Sequence, residues 1–175
     1  MYKRGLFLGR FQPIHNGHIK VIKLLMEEVE ELIIGIGSAQ HSHSFNNPFT
    51  AGERVTMIKN ALQENGIDLT RIFLIPIFDT NDNRIWVSHV IACVPKFDVV
   101  YTNNKLVFRL MKEFGVMVKN TEIFDREILS STEIRNRILK GEKWQDLVPK
   151  SVVEFIEQID GINRIREIGH TGLKL

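Results

Sequence analysis

Two short segments of this chain combine residue types that handle phosphate. The first, Gly9-Arg10-Phe11-Gln12-Pro13-Ile14-His15-Asn16-Gly17-His18, follows a brief apolar run and leads into a helical pattern. Histidines three apart at a helix start present both imidazoles on one side. They lie at the helix's positive end, beside backbone N–H groups without helical partners, which is a ready anion site. The second segment, Ser130-Ser131-Thr132-Glu133-Ile134-Arg135, offers the hydroxyls of Ser131 and Thr132, the amides of a helix N-terminus and a guanidinium one turn on. The donors of an arginine form a fixed fork that suits phosphate. Each segment alone has a plainer reading: a turn histidine beside a satisfied one, and a well-capped helix with a solvated arginine. Their coincidence, with Arg10 at the end of the first apolar run, favours two phosphate clamps.

Such clamps need elements to hold them. Short runs rich in Ile, Val, Leu and Phe at Leu6–Leu8, Leu32–Ile36, Ile72–Ile77, Val99–Thr102 and Val116–Val118 have the character of strands buried on both faces. Amphipathic stretches separate them. After His15, one stripe carries Ile19, Ile22 and Met26. Thr50-Ala51-Gly52-Glu53 has capping-box spacing, and Asn65-Gly66 closes the helix that follows. Ser130 to Glu133 opens another helix, closed by Lys140-Gly141, and Ser151 to Glu154 repeats the opening signal. Alternating strands and helices predict an α/β fold: a doubly wound, Rossmann-like parallel sheet of five strands with C-terminal helices. Ligands of such sheets bind beyond the strands' carboxyl ends. Residues 1–150 are expected to form the α/β domain, and 151–175 a helical extension of the same domain.

Composition narrows the class. A chain of 175 residues can bury a core as one domain. A net charge of +2 without a basic run argues against a nucleic-acid partner. The longest apolar stretches, such as Leu32-Ile33-Ile34, are far short of a membrane span. The sequence opens on a strand-like segment rather than a secretory signal, and Cys93 as the only cysteine allows no intrachain disulfide. A cytoplasmic location is the expectation. The dinucleotide fingerprint fails in Gly9-Arg10-Phe11 and again in Gly35-Ile36-Gly37-Ser38-Ala39-Gln40, which lack the later glycines, and no Walker loop is present.

The His-x-Gly-His and Ser-Ser-Thr-x-x-Arg segments together resemble the nucleotidyltransferase family defined by those motifs. Gly9-Arg10-Phe11-Gln12-Pro13, Gly35 to Gln40, Asn47-Pro48-Phe49-Thr50-Ala51-Gly52-Glu53-Arg54 and Ile85-Trp86-Val87 are similar to the archaeal-type nicotinamide-nucleotide adenylyltransferases, from Gly5 to about Ile165. The resemblance implies transfer of AMP from ATP to nicotinamide mononucleotide (NMN), giving NAD and pyrophosphate. It implies His15, His18 and Arg135 as the catalytic donors. The ATP set would be Gly9, Arg10, Phe11, His15, His18, Thr102, Asn103, Asn104, Ser131, Thr132 and Arg135. The NMN set would be Arg10, Ser38, Asp79, Asn83 and Trp86, the Trp face meeting the cationic nicotinamide ring. Trp86 also reads as helix packing, flanked by Val87 and Val90.

Mg²⁺ or another divalent cation is expected on the ATP phosphates, with no dedicated protein ligands. A homo-oligomer is implied, the hexamer being the archaeal pattern. Two departures stand out: Asn46-Asn47 where many relatives carry a basic residue, and Thr102-Asn103-Asn104 in place of Ser-Gly-Asn. His41 and His43 could compensate for the first. Other acceptors (phosphopantetheine, a flavin mononucleotide, glycerol phosphate) remain open, as does a non-catalytic nucleotide-sensing module. A tRNA-binding reading lacks a basic surface signal.

Overall fold

The computed structural model describes residues 1–122 and 129–171, so the last four residues of the expected C-terminal extension, 172–175, lie outside the described residues. Five strands form one parallel sheet: β1 (Tyr2–Gly9), β2 (Val29–Ile36), β3 (Ile72–Pro76), β4 (Val99–Tyr101) and β5 (Val118–Lys119). Their order is β3-β2-β1-β4-β5. The helices are α1 (Asn16–Glu28), α2 (Ala51–Glu64), α3 (Asn83–Cys93), α4 (Lys105–Glu113), α5 (Ser131–Lys140), α6 (Lys150–Gln158) and α7 (Gly161–Thr171). The expected doubly wound sheet is present. Its order reverses between β1 and β4, so the switch point falls where Gly9 and Tyr101 end their strands.

The chain divides into two compact units. One comprises Met1–Arg10, Val21–Ala39 and Asp68–Glu122; the other comprises Phe11–Lys20, Gln40–Ile67 and Ile123–Leu175. The first holds the whole sheet, and its core joins Leu6, Ile33, Ile77, Val87, Val90, Val100 and Met111. In the second, α2 packs on α6, and α7 packs on α5 and α6.

Three strand starts need correction, and the first is β2, which opens at Val29 rather than Leu32. β1 starts at Tyr2 rather than Leu6, because the charges at its start are paired: Arg4 Nε donates to Glu31 of β2, its register partner, at 2.9 Å. β5 starts at Val118 rather than Val116. The Val116 N–H bonds the Met111 carbonyl (3.0 Å) and the Gly115 N–H bonds Lys112 (3.1 Å), with Gly115 at φ +83. This is a Schellman ending for α4, so Val116 is spent on closing a helix.

The helix signals fared unevenly. At α2 the capping box forms in full: Thr50 Oγ1 accepts from the Glu53 N–H (3.2 Å), and Glu53 accepts from the Thr50 N–H (2.8 Å). The same carboxylate receives both terminal nitrogens of Arg164 of α7, at 2.7 and 2.9 Å. At α5, Ser130 caps the Glu133 N–H (3.1 Å), but the Glu133 carboxylate pairs with Arg137 instead of reaching back. The Ser151 signal is not used. α6 opens at Lys150 after Pro149, and Glu64 of α2 accepts the N–H groups of both Lys150 (3.1 Å) and Ser151 (2.8 Å). A carboxylate from another helix does the capping.

Candidate active site

In the second unit, His15 occupies the cap position of α1, its carbonyl accepting the Ile19 N–H at 3.2 Å. The His15 N–H donates to His18 Nδ1 (3.3 Å), and the His18 N–H donates to His15 Nδ1 (3.3 Å). This is the reciprocal pattern of a capping box, built from two imidazoles. The rings stack with centroids 3.7 Å apart at 29°, and Phe11 tilts against His18 at 4.8 Å. Because each Nδ1 accepts a backbone N–H, the neutral form of each ring must carry its hydrogen on Nε2. The pair therefore acts as two N–H donors.

Protonation would set an Nδ1–H against an amide N–H, and it would charge a buried group. Burial pushes His15 down to about 4, and burial together with the neighbouring His15 holds His18 well below the ordinary imidazole value. The donors are thus neutral near pH 7.

The second clamp lies in the same unit. Arg135 is fully buried, contrary to the solvated arginine that a capped helix would suggest. Its Nη1 donates to the Gln12 carbonyl (2.8 Å) and its Nη2 to Thr132 Oγ1 (3.3 Å). The Phe45 ring lies over the guanidinium, 5.6 Å from its carbon to the centroid. The Ser131 hydroxyl donates to the Pro13 carbonyl (2.8 Å), so its hydrogen ties α5 to the histidine segment. Thr132 is exposed at the first turn of α5. The structure brings His15, His18, Phe11, Ser131, Thr132 and Arg135 into one unit.

The remaining residues of the expected ATP and NMN sets belong to the first unit, whereas His41, His43 and Asn46 belong to the second. Gly9 ends β1, its carbonyl accepting the Gly37 N–H (2.9 Å), and Arg10 follows, exposed. Ser38, at φ +50, donates its N–H to Asp79 (3.3 Å). Asn83 is exposed at the start of α3, which Asp82 caps. Trp86 is half-buried and packs against the core that includes Val87 and Val90. After β4, Thr102 Oγ1 accepts the Asn104 N–H (3.1 Å), Asn103 bonds Thr121 through its amide at 2.6 and 3.1 Å, and Asn104 caps α4. Here the turn offers backbone more than side chain to a ligand. Asn46 and His41 are exposed, as is His43, whose ring nitrogen meets the Ser42 hydroxyl at 2.9 Å. Among the described residues, no group of three or more His, Cys, Asp or Glu is arranged to hold a metal ion.

Sequence reasoning left Gly17, Phe45 and Gln12 without roles. Gly17 was visible in the His-x-Gly-His spacing. A Cβ built there would lie 3.0 Å from both His15 Cε1 and Nδ1. Alanine in place of a helical glycine ordinarily stabilises by roughly 0.5–1 kcal/mol. Here the His15 ring must give by a few tenths of an ångström, which disturbs its bond with the His18 N–H. Gly17→Ala is expected to fold with little change in Tm but to lose about tenfold in kcat, since small misplacements at a reacting centre are costly. Steady-state kinetics beside a melting curve check this; an unaltered kcat would show that the ring position does not matter.

Comparison with known proteins identifies the family. A family model described as cytidylyltransferase-like matches residues 6–137. The nicotinamide-nucleotide adenylyltransferase of Pyrococcus furiosus is 54% identical over 165 residues, covering 94% of this chain and 88% of that protein. That of Archaeoglobus fulgidus is 54% identical over 169 residues, covering 94% and 97%. Among solved structures, a bifunctional NMN adenylyltransferase/ADP ribose pyrophosphatase from Francisella tularensis, complexed with AMP and a Mn ion, superposes with TM-score 0.81 at 23% identity. The likeness covers 96% of this chain and 52% of that one, so this chain spans about half of that protein's length and shares its fold. This chain belongs to the cytidylyltransferase-like family and, within it, to the nicotinamide-nucleotide adenylyltransferases.

Proposed function

We infer that the protein transfers AMP from ATP to NMN, giving NAD and pyrophosphate. The observation that carries this reading is the reciprocally capped His15–His18 pair, two neutral Nε2–H donors fixed at a helix N-terminus, in a chain 54% identical to adenylyltransferases of that name. An oxygen of the NMN 5′-phosphate attacks the α-phosphorus of ATP. The new P–O bond forms as the bond to the β-phosphate oxygen breaks, and pyrophosphate leaves with that electron pair. With a second phosphate pKa of about 6, the nucleophile is ionised near neutral pH, so no base is required. Catalysis then consists of positioning and of donors aimed where charge grows.

In this assignment His18 donates to the α-phosphate and His15 beside it. Arg135, Ser131 and Thr132 hold the β- and γ-phosphates, Ser131 through its place at the start of α5. Gly9, Phe11 and the Thr102-Asn103-Asn104 backbone receive the adenosine. Arg10 takes the acceptor's phosphate, and Ser38, Asp79, Asn83 and the uncovered part of Trp86 take the nicotinamide riboside. The side chains in the histidine and arginine clamps are N–H and O–H donors, which fits a divalent cation, Mg²⁺ first, held by substrate oxygens and water. When bound, such a cation would neutralise charge on the leaving pyrophosphate. No helix among the described residues is long and apolar enough to cross a membrane. A cytoplasmic homo-oligomer acting on small molecules, in which residues 151–175 extend the catalytic domain, completes the proposal.

The test is NAD formation from ATP, Mg²⁺ and NMN, with nicotinic acid mononucleotide, phosphopantetheine and flavin mononucleotide in parallel. Turnover confined to the pyridine nucleotides is expected. Turnover with phosphopantetheine or the flavin instead would overturn the acceptor, and ATP binding without turnover of any acceptor would overturn the enzyme.

A further inference from the structure

Gln12 is almost fully buried and makes contacts on two sides at once. Its side-chain amide brackets the backbone of Phe49, with Nε2 donating to the Phe49 carbonyl (2.9 Å) and Oε1 accepting the Phe49 N–H (3.0 Å). These two bonds fix which end of the amide is oxygen, and they anchor the Gln12 backbone to the segment just before α2. Its own carbonyl accepts Arg135 Nη1 at 2.8 Å. The next carbonyl, that of Pro13, accepts the Ser131 hydroxyl at 2.8 Å. Two adjacent carbonyls thus hold the guanidinium and the first residue of α5, and one side chain holds the peptide that carries the first of them.

We propose that Gln12 is a positioning residue for Arg135, setting the guanidinium's direction through a backbone carbonyl that its side chain pins to Phe49. The proposal rests on the assignment of Arg135 to the ATP phosphates. A guanidinium aims its donors only as well as the acceptors on its inner edge are fixed, because the fork is rigid. Nη1 is spent on Gln12 and Nη2 reaches Thr132. A shift of the Gln12 carbonyl therefore moves one of the anchors that set the plane's direction. The Phe45 ring over the guanidinium limits movement out of the plane but not rotation within it. The in-plane angle is set by the Gln12 carbonyl at Nη1 together with Thr132 at Nη2.

Gln12→Met keeps the length and volume of the side chain and removes both bonds to Phe49, while the backbone carbonyl stays. It is expected to lower kcat about tenfold with KM for NMN little changed, since the acceptor does not meet Arg135. Arg135→Lys alone should lower kcat at least as much. In the double variant the losses should fall well short of the product of the single losses, because once the fork is gone its aim no longer matters. Should Gln12→Met not fold, Gln12→Glu, which keeps the acceptor for the Phe49 N–H, replaces it in the same cycle. Melting curves run alongside separate a folding loss, which would lower the active fraction, from a change in kcat per active site. If Arg135→Lys reduces kcat while the Gln12 variants leave it unchanged, or if the losses multiply fully, the positioning role is wrong. If Arg135→Lys itself leaves kcat unchanged, a point charge suffices and the aim of the fork does not matter, which overturns the positioning role; if Arg135→Ala leaves kcat unchanged, the failure lies in the phosphate assignment beneath the proposal.

Discussion

His18→Ala is expected to lower kcat by about two to three orders of magnitude, the typical effect of removing one donor from a site of developing negative charge. The fold should survive. The substitution removes one half of a reciprocal cap, the acceptor for the His15 N–H at 3.3 Å, worth about 1 kcal/mol, and with it the ring's contacts with His15 and Phe11. The catalytic loss should greatly exceed anything this local loosening explains. His18→Gln sharpens the comparison, because its amide N–H extends about as far as an imidazole Nε2–H and should recover part of the rate. KM for NMN should move little in both variants. Near-full turnover of folded His18→Ala would remove His18 from the reaction.

The reciprocal bonds also make a claim about protons that activity alone cannot test, since the acceptor's phosphate titrates near pH 6 as well. In the ligand-free protein both Nδ1 atoms should appear unprotonated and both Nε2 atoms protonated by ¹⁵N spectroscopy of the imidazoles. Neither ring should titrate between pH 7 and 5.5. The direction for stability follows. Between 6.5 and about 4, an unfolded chain protonates an ordinary imidazole while folded His15 stays neutral. The unfolded state then binds more protons, and acid favours it. Stability is full above pH 6.5 and falls as the pH drops toward 4, by on the order of 3 kcal/mol for His15 alone. Burial is the cause for His15, and burial followed by the neighbouring His15 for His18. A midpoint near 6.5 for either ring would contradict the assigned tautomers.

What the sequence made legible was local. The His15–His18 spacing placed two imidazoles on one side of a helix start because i and i+3 are neighbours there, and the Thr50–Glu53 box formed for the same reason. Strand alternation with helices was enough for the doubly wound sheet. What escaped depends on partners far along the chain. Lys3 and Arg4 concealed the start of β1 because Glu31, which pairs with Arg4, is a strand away. Ser151 failed as a cap because Glu64 reaches α6 from α2. Arg135 could not be known to be buried without the Gln12 carbonyl and the Phe45 ring, and Gln12 had no visible task without Phe49. Trp86, read from resemblance as a nicotinamide partner, also packs against the sheet's core, a role that Val87 and Val90 beside it had indicated.

Arg135→Ala should have an effect as large as that of His18→Ala, and its pattern should differ. The guanidinium is buried against the Gln12 carbonyl and beneath Phe45. Its loss leaves the carbonyl without this donor and opens a void under the ring. A stability loss of about 1–3 kcal/mol is therefore expected, from the unsatisfied acceptor alone. The catalytic loss should exceed it: about 100-fold or more in kcat, with KM for ATP raised as well, because the β- and γ-phosphates are held before and during transfer. Arg135→Lys separates the contributions. The charge is kept, so ATP affinity should be largely preserved, but a single ammonium cannot bridge the Gln12 carbonyl and a phosphate with a fixed fork, so kcat should remain at least tenfold down. Kinetics of both variants against ATP concentration, taken below their melting temperatures, decide the matter. If Arg135→Lys restored both constants, a point charge would suffice. If Arg135→Ala changed stability alone, Arg135 would be a core residue that happens to lie at the start of α5.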